Sequence, residues 1–582
     1  MITNYIRLAW RNLVRRKAYT AINISGLVVG IAACLLLFTV VRYEMGYDKF
    51  YPAHESIYRV VTHDKYPDDV SYTSGIPYPA LEAIRVDFPN IITGALFANY
   101  GSQVTVIGPN SNNTNNDKKF IEDAGTFYAD PQFFQVFQHK WLAGSAAVLA
   151  EPGTTVLTRK MAEKYFGDWK EAMGQYLKLD NTILVKVAGI IENPPAHTDL
   201  PLGVVSSFES FKSQPALYGY TTDWGSTTSN FQLFMQLPKN VNSQAISQQL
   251  ATTFSKKHYQ QGLTSVRTNH LQPLSEMHFD NRYSNLGDHV TSRSTLWTLS
   301  LIGIFILLMA CINFINLSTA QAVGRSKEVG IRKVLGSNQY QLFWQILGET
   351  GILVILSVVL AIIVASISMP YIKHIASIPE KVDLLNWQTG LFALIIIVAV
   401  TLLSGFYPSF VVARFNPSLA LKNKITSATV GGISLRRGLV VLQFAISQIL
   451  IIGTIVAVSQ MNFVQNADLG FDKEAVLVLN HNSDSSIVAR QATLKQKLLS
   501  VAGIQSISFS SDVPSSDNNW GSNFAYDHKP DEDYTLYLKY ADEDYFKTYG
   551  LQLAAGRVYS KSDTTNEVIV NETVLRKLGV KN

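Results

Sequence analysis

Five stretches of the chain hold no Asp, Glu, Lys or Arg: 18–41, 294–323, 350–372, 384–413 and 438–467. A helix rises about 1.5 Å per residue, so roughly 20 residues cross the ~30 Å hydrocarbon layer of a bilayer. Soluble core helices seldom stay uncharged for that length. We read the five runs as transmembrane helices, the third most tightly bounded, by Glu349 and Lys373. Only 16% of residues are charged, against about 25% in soluble proteins. The net charge of +5 is small for 582 residues, with no basic block or aromatic-basic interleaving. A nucleic-acid groove needs both, so nucleic acid is excluded as a partner.

Basic residues set the expected orientation. Arg7, Arg11, Arg15, Arg16 and Lys17 precede the first run. Arg325, Lys327, Arg332 and Lys333 lie between the second and third. Arg414, Lys422, Lys424, Arg436 and Arg437 lie between the fourth and fifth. Positive charge marks the cytoplasmic side. The N terminus is therefore expected inside, with two large segments outside, 42–293 and 468–582. Residues 414–437 form a cytoplasmic linker.

Residues 1–17 place Ile2, Ile6, Trp10 and Leu13 on one helical stripe and Arg7, Arg11 and Arg15 on another. That pattern suits an interfacial helix on the inner leaflet. Ile31-Ala-Ala-Cys34 offers a rival reading as a lipoprotein processing site. The apolar residues that continue past Cys34 make the run too long for a signal peptide. The two cysteines, Cys34 and Cys311, both fall inside apolar runs. The outer segments therefore contain neither a disulfide nor a Cys-based metal site.

The chain repeats itself. ADPQFFQVFQHKWLAG (129–144) aligns without gaps on ADEDYFKTYGLQLAAG (541–556), and VLTRKMAEKYFG (156–167) on VIVNETVLRKLG (568–579) at the same offset. The first and fifth runs each follow a basic cluster and precede GYDKF or GFDKE. The expected fold is an α-helical integral membrane protein with mixed α/β extracytoplasmic domains. Its unit is one span, an outer domain and three more spans, given twice with the second copy incomplete. By that repeat, about 250 further residues with three spans are expected beyond Asn582.

In the outer segment, SIYRVVTH, TTVLTR, LVKVAGII and NFQLFMQL read as strands by alternation or β-branched content. YPALEAIRVDF and RKMAEKYF read as helices, and IGPNSNNTNNDKK as a polar loop. His54-Glu55 and His63-Asp64 are expected as solvated pairs. No G-x-x-x-x-G-K-[ST] or H-E-x-x-H motif occurs, and no catalytic constellation stands out. The chain is expected not to be an enzyme and to bind no cofactor or metal. No run carries a charge that would mark a polar path. Asn313, Asn316, Gln443 and Gln448 are expected to bond between helices.

The most informative stretch is SKEVGIRKVLGS, 326–337. Lys or Arg at mid-membrane costs about 2.5–3.5 kcal/mol each on insertion scales, so these charges lie outside the bilayer core. Ile331, Val334 and Leu335 form an apolar face, resumed by Leu342, Phe343, Ile346 and Leu347. A short amphipathic helix at the inner surface is expected over 324–349. A loop that fixed topology alone would need neither Glu328, nor Gly330 and Gly336, nor that face.

This cassette resembles the R-x-x-E-I-G-I-R-K-A-L-G-A signature of the FtsX-like permeases, which include the MacB-type exporters and lipoprotein-releasing transporters. Arg325, Glu328, Val329, Gly330, Ile331, Arg332, Lys333, Leu335 and Gly336 match it, as does Glu349 at the next run. Pro408, Pro417, Ala420 and Leu421 match the family's fourth-span ending. Residues 42–293 resemble a MacB-like periplasmic core domain. The resemblance implies the permease subunit of an ABC transporter in the bacterial inner membrane. A separate cytoplasmic ABC ATPase dimer would bring ATP and Mg and grip the cassette as a coupling helix, with Lys327 among its contacts, and a periplasmic adaptor is a further partner the resemblance allows. Membrane lipid surrounds the spans. The substrate stays open among peptides, antimicrobials, lipids and lipoproteins. Two other readings stand beside it. One is an ATPase-coupled scaffold that activates a cell-envelope enzyme. The other is a membrane sensor, which would need a cytoplasmic output domain.

Overall fold

The protein is described as a computed structural model over residues 17–107, 118–259, 265–287, 289–372, 386–414, 433–479, 489–516, 518, 520–562, 564 and 567–580. The expected interfacial helix, most of the polar loop and most of the 414–437 linker lie outside these. The chain divides into a helical unit, residues up to 47 with 289–465, and an extramembrane unit, 48–288 with 466–582.

Each apolar run forms a helix. They are Lys17–Glu44, Arg293–Val334, Gln339–Ile372, Trp387–Ala413 and Ile433–Asn466, all long and apolar enough to cross a membrane. The first four share one core, in which Leu27, Ile31 and Leu35 meet Cys311 and Phe314, Val354 and Val358, and Ile396 and Val400. Phe38 stacks on Phe392 at 3.8 Å. The third and fourth helices approach closely at Gly405, where a Cβ would stand 2.8 Å from Leu347 Cδ1. The fifth helix is almost uncovered, with Ile446 its buried anchor. Exposed Trp297, Tyr371 and Trp387 sit near one set of helix ends, and exposed Tyr340 and Trp344 near the other. Such aromatic belts mark the two membrane interfaces. Of the amides expected to bond between helices, Asn316 has its Oδ1 buried without a partner. Asn313 and Gln448 face outward.

The extramembrane unit is built on a sheet. Its first strands are β1 (Ile57–Lys65), β2 (Val70–Thr73), β3 (Ile92–Asn99), β4 (Ser102–Val106), β5 (Lys118–Glu122) and β6 (Thr126–Ala129). Then come β7 (Trp141–Ala143), β8 (Thr154–Thr158), β9 (Tyr176–Leu179), β10 (Ile183–Ile191), β11 (Val204–Ser207), β12 (Phe231–Gln236) and β13 (Val266–Pro273). The order is β13-β1-β12-β3-β6-β11-β8-β10-β9-β4-β5, with β2 on β1 and β7 on β10. Among the described residues, the parallel pairs are β8–β10 and β6–β11.

Period-two alternation fills both faces. On β3, Ala95 and Phe97 enter one core while Leu96 and Ala98 enter the other. On β12, Leu233 and Met235 take the first and Phe234 the second. A central strand buried on both sides reads as a continuous apolar run, as these do. The β13 edge is closed by side chains: the Asn269 and Leu271 N–H groups donate to Ser255 Oγ and Ser247 Oγ.

Candidate functional site

Where a short separate helix was expected at 324–349, the structure has none. The helix of the second span runs unbroken from Arg293 to Val334. A second helix starts at Gln339 and continues as the third span. The charges mark where the bilayer ends, and nothing in them stops a helix.

What stops it is Leu335–Asn338. Gly336 adopts φ +100, a conformation that glycine takes without a Cβ penalty. The Ser337 N–H donates to Arg332 O (3.0 Å) and the Gly336 N–H to Lys333 O (3.1 Å). That bond pair satisfies carbonyls left open at a helix C terminus. Asn338 Oδ1 then accepts from Gln341 N (2.8 Å), and Gln341 Oε1 accepts from Asn338 N (3.2 Å). This reciprocal box caps the next helix. Both ends are fixed, so the cassette is a stiff helix–turn–helix corner.

The corner has two sides. Val329 and Leu342 are buried with Val412 and Ala413 of the fourth helix, flanked by Phe343, Ile346 and Val411. Gly330 is buried too. Lys327, Glu328, Ile331, Leu335 and Gly336 are exposed, Leu335 at 80%. Arg332 and Lys333 are half-buried, and Arg332 Nη2 bonds Glu328 Oε1 at 2.6 Å. The helix carries Arg325, whose side chain lies outside the described residues. Glu349 is buried and accepts from Gln345 Nε2 at 3.5 Å.

A second arrangement was not legible in the sequence. Within the extramembrane unit, Thr198 donates its hydroxyl to Asp48 Oδ1 (2.6 Å) and the Asp199 N–H to Asp48 Oδ2 (3.2 Å). Asp199 Oδ1 accepts from Asn285 Nδ2 (2.7 Å) and stands 3.0 Å from His278 Nδ1. Burial and the neighbouring Asp199 push the Asp48 carboxyl up to about 7. Arg59, fully buried, donates to Gln272 Oε1 from Nε and Nη2 (3.0 and 2.7 Å), and from Nη1 to Gln232 Oε1 and Ser284 O (both 3.2 Å). Burial lowers its pKa to about 10. In chain order, Asp48 follows the first span's helix closely, and Asn285 closely precedes the second. The GYDKF copy of the repeat was the one available signal, and it pointed to Asp48 alone.

His63-Asp64 is not a solvated pair. Asp64 is buried and takes both Arg267 Nε (2.7 Å) and Nη2 (3.1 Å), while His63 Nε2 meets Tyr283 Oη at 2.6 Å.

The repeated segments carry like geometry. Asp130 takes the N–H groups of Ala95 and Phe133 (both 3.0 Å) and the Arg85 guanidinium from the Ala80–Asp87 helix. Asp542 takes Ser508 Oγ (2.6 Å) and Lys495 Nζ (2.8 Å) from the Gln491–Leu499 helix. Helices Phe133–Val136 and Tyr545–Thr548 follow, and Arg159–Phe166 and Glu572–Leu578 each end at a glycine with positive φ.

A bundle of apolar helices with an α/β extramembrane domain defines a multi-span membrane protein. Family models match in the same order: a MacB-like periplasmic core domain over residues 20–253, and an FtsX-like permease C-terminal domain over 300–417. The chain is a permease of the FtsX/MacB type. Such subunits are the non-catalytic membrane parts of ABC systems and generally work with a cytoplasmic ABC ATPase. Among solved structures, a domain of a candidate permease from Porphyromonas gingivalis aligns at 15% identity. It covers 43% of this chain and 98% of that one, with a TM-score of 0.32, too low to carry an argument. No curated protein matches the chain.

Proposed function

We propose that this permease couples ATP hydrolysis by a separate cytoplasmic ATPase dimer to movement of its extramembrane domain. The carrying observation is the corner at 326–342. It is continuous with the second and third spans, is packed on the fourth through Val329, Leu342, Val412 and Ala413, and leaves Lys327, Glu328, Ile331 and Leu335 outward. Arg325, Lys327, Glu328, Val329, Gly330, Ile331, Arg332, Lys333, Leu335 and Gly336 form the docking element. The exposed members touch the ATPase, while Val329 and Gly330 seat the element on the bundle. ATP and Mg act in the partner. A push on the capped corner passes along the second span's helix, which is continuous from Arg293 to Val334.

The same reading puts the corner in the cytoplasm, by its Arg and Lys, and the α/β domain in the periplasm of an inner membrane. The domain order is 18–41, 42–293, 294–323, 324–349, 350–372, 384–413, 414–437, 438–467 and 468–582. Residues 438–582 begin a second copy of the span-plus-domain unit, a reading supported by the Asp130–Arg85 and Asp542–Lys495 pairs. The substrate is a peptide, antimicrobial, lipid or lipoprotein handled on the outer side.

The test is isolation from native membranes of the wild type and of a Glu328→Lys, Arg332→Glu double variant. A P-loop ATPase should accompany the wild type and be lost from the folded variant. An ATPase bound equally to both would remove the docking role from this surface. No ATPase with either would favour the sensor reading.

A further inference from the structure

The extramembrane unit carries a cleft of about 440 Å³ that the permease role does not use. Its floor is the face of β1 and β13 bearing Val61, His63, His270 and Gln272, and the segment through Glu276, Phe279 and Tyr283 walls it. The His63 and His270 rings stack at 4.1 Å and 22°.

One floor atom points to a ligand. Two nitrogens of Arg59 donate to Gln272 Oε1. A guanidinium has no acceptor, so the amide orientation is fixed and its NH2 must turn away from Arg59. That Nε2 has no protein partner, although Gln272 is only 5% exposed. Buried polar groups are nearly always bonded, so a bare donor lining a cleft calls for an acceptor from outside the chain.

The lining also narrows the ligand's charge. Arg282 is held by Asp280 through Nε (2.9 Å) and Nη2 (2.7 Å) and lies over the Tyr72 ring at 5.1 Å. Burial, His270 and Arg282 lower His63 to about 4, and burial lowers His270, so the stack is uncharged at neutral pH. Among the described residues, the arginine that lines the cleft, Arg282, is already paired with a carboxylate. The cleft cannot extend the sheet with a peptide strand either, because Ser247 and Ser255 already take the outward N–H groups of β13. The lining holds an amide donor, neutral imidazoles, a phenol and the carboxylates of Glu276 and Asp280 beside flat rings. Hydroxyl- and carbonyl-bearing rings fit that set, with polar edges to bond and a C–H face to stack.

We propose that this cleft binds a neutral saccharide unit, with Gln272 Nε2 donating to it and His270 and Phe279 forming its apolar walls. Binding here is independent of ATPase docking, so its failure would leave the permease reading untouched. The test uses the full chain in a detergent without a sugar head group, with N-acetylglucosamine as probe and ligand-observed saturation-transfer NMR as readout. Saturable binding is expected, displaced by a maltoside detergent. His270→Ala and Phe279→Ala should each weaken it about tenfold, or ~1.4 kcal/mol, without lowering the unfolding temperature. If His270→Ala does not fold, Phe279→Ala decides. The proposal is overturned by absence of saturable binding to the wild type, or by equal binding to the variants. Preference for a tri-alanine amide over the sugar would overturn it as well.

Discussion

Arg59 in the extramembrane unit and Gly405 in the helical unit are both buried, and they hold their surroundings by opposite means. Arg59 spends its donors on Gln232, Gln272 and Ser284, tying β1, β12 and β13 to the segment that precedes the second span. Gly405 has no side chain, and its service is to let Leu347 and Thr350 come close. The sheet domain gains position from directional bonds made across long sequence separations. The helices gain it from small residues and from stiff continuity, since lipid supplies no hydrophobic drive between helices. A domain fixed by bonds loses its shape when one partner is removed. A bundle fixed by close approach can slide or tilt as a body, which a mechanical coupler needs.

The contrast should break first at Arg59. Arg59→Ala leaves three acceptors buried and Asp199 without its balancing charge, and should cost about 3–5 kcal/mol. Chaotrope unfolding monitored by Tyr and Trp fluorescence reads this, and a loss below about 1 kcal/mol would mean the site is wetter than described.

The same substitution in both units comes next. At Gly75 an added Cβ would stand 1.8 Å from the Thr228 carbonyl oxygen, and backbone must move. At Gly405 the nearest atom is the tip of Leu347, which can rotate, and Thr350 Cβ at 3.1 Å needs only a small shift. Gly75→Ala should cost about 3 kcal/mol and Gly405→Ala about 1 kcal/mol. The reverse order would contradict the contrast.

A subtler difference is in pH. Asp48 is raised to about 7 when folded, so between its unfolded value and that point the folded state holds the extra proton. Stability from this group is present on the acid side of that window and lost as pH rises through 7. His63 and His139, both lowered to about 4, act in the opposite sense as pH falls below the ordinary histidine range. The informative quantity is therefore wild type minus Asp48→Asn. That difference should fall as pH goes from 5 to 8, and a flat difference would mean that Asp48 does not titrate there.

The smallest effect on stability belongs to Glu328. Its pair with Arg332 is an exposed i,i+4 contact worth about 0.3–0.5 kcal/mol, so Glu328→Ala should leave thermal unfolding almost unchanged. A large loss would make Glu328 a structural residue and weaken its docking role.

The sequence revealed what has short range. Charge-free runs became long helices because length and apolarity decide insertion, and β1, β8, β10 and β12 were readable as strands from their own residues. Gly336 and Asn338 were present to be read as stop and start signals, but the charges at 325–333 drew attention to the membrane edge and away from the helix that crosses it. The Asp48–Asp199–His278 network joins residues about 80 to 150 positions apart in sequence. No local pattern announces such a meeting. His63-Asp64 failed for the same reason, since Arg267 and Tyr283 lie some two hundred residues away.

The central claim is that the outward side of the 326–342 corner grips an ATPase. Cys34 and Cys311 are both buried among the helices, so Ile331→Cys would place one accessible thiol on that side. A thiol-linked photo-crosslinker at this position, activated in native membranes, tests the claim most directly. The account predicts one dominant adduct, a P-loop ATPase identified by mass spectrometry. Adducts confined to lipid or to proteins without a nucleotide-binding domain would contradict it.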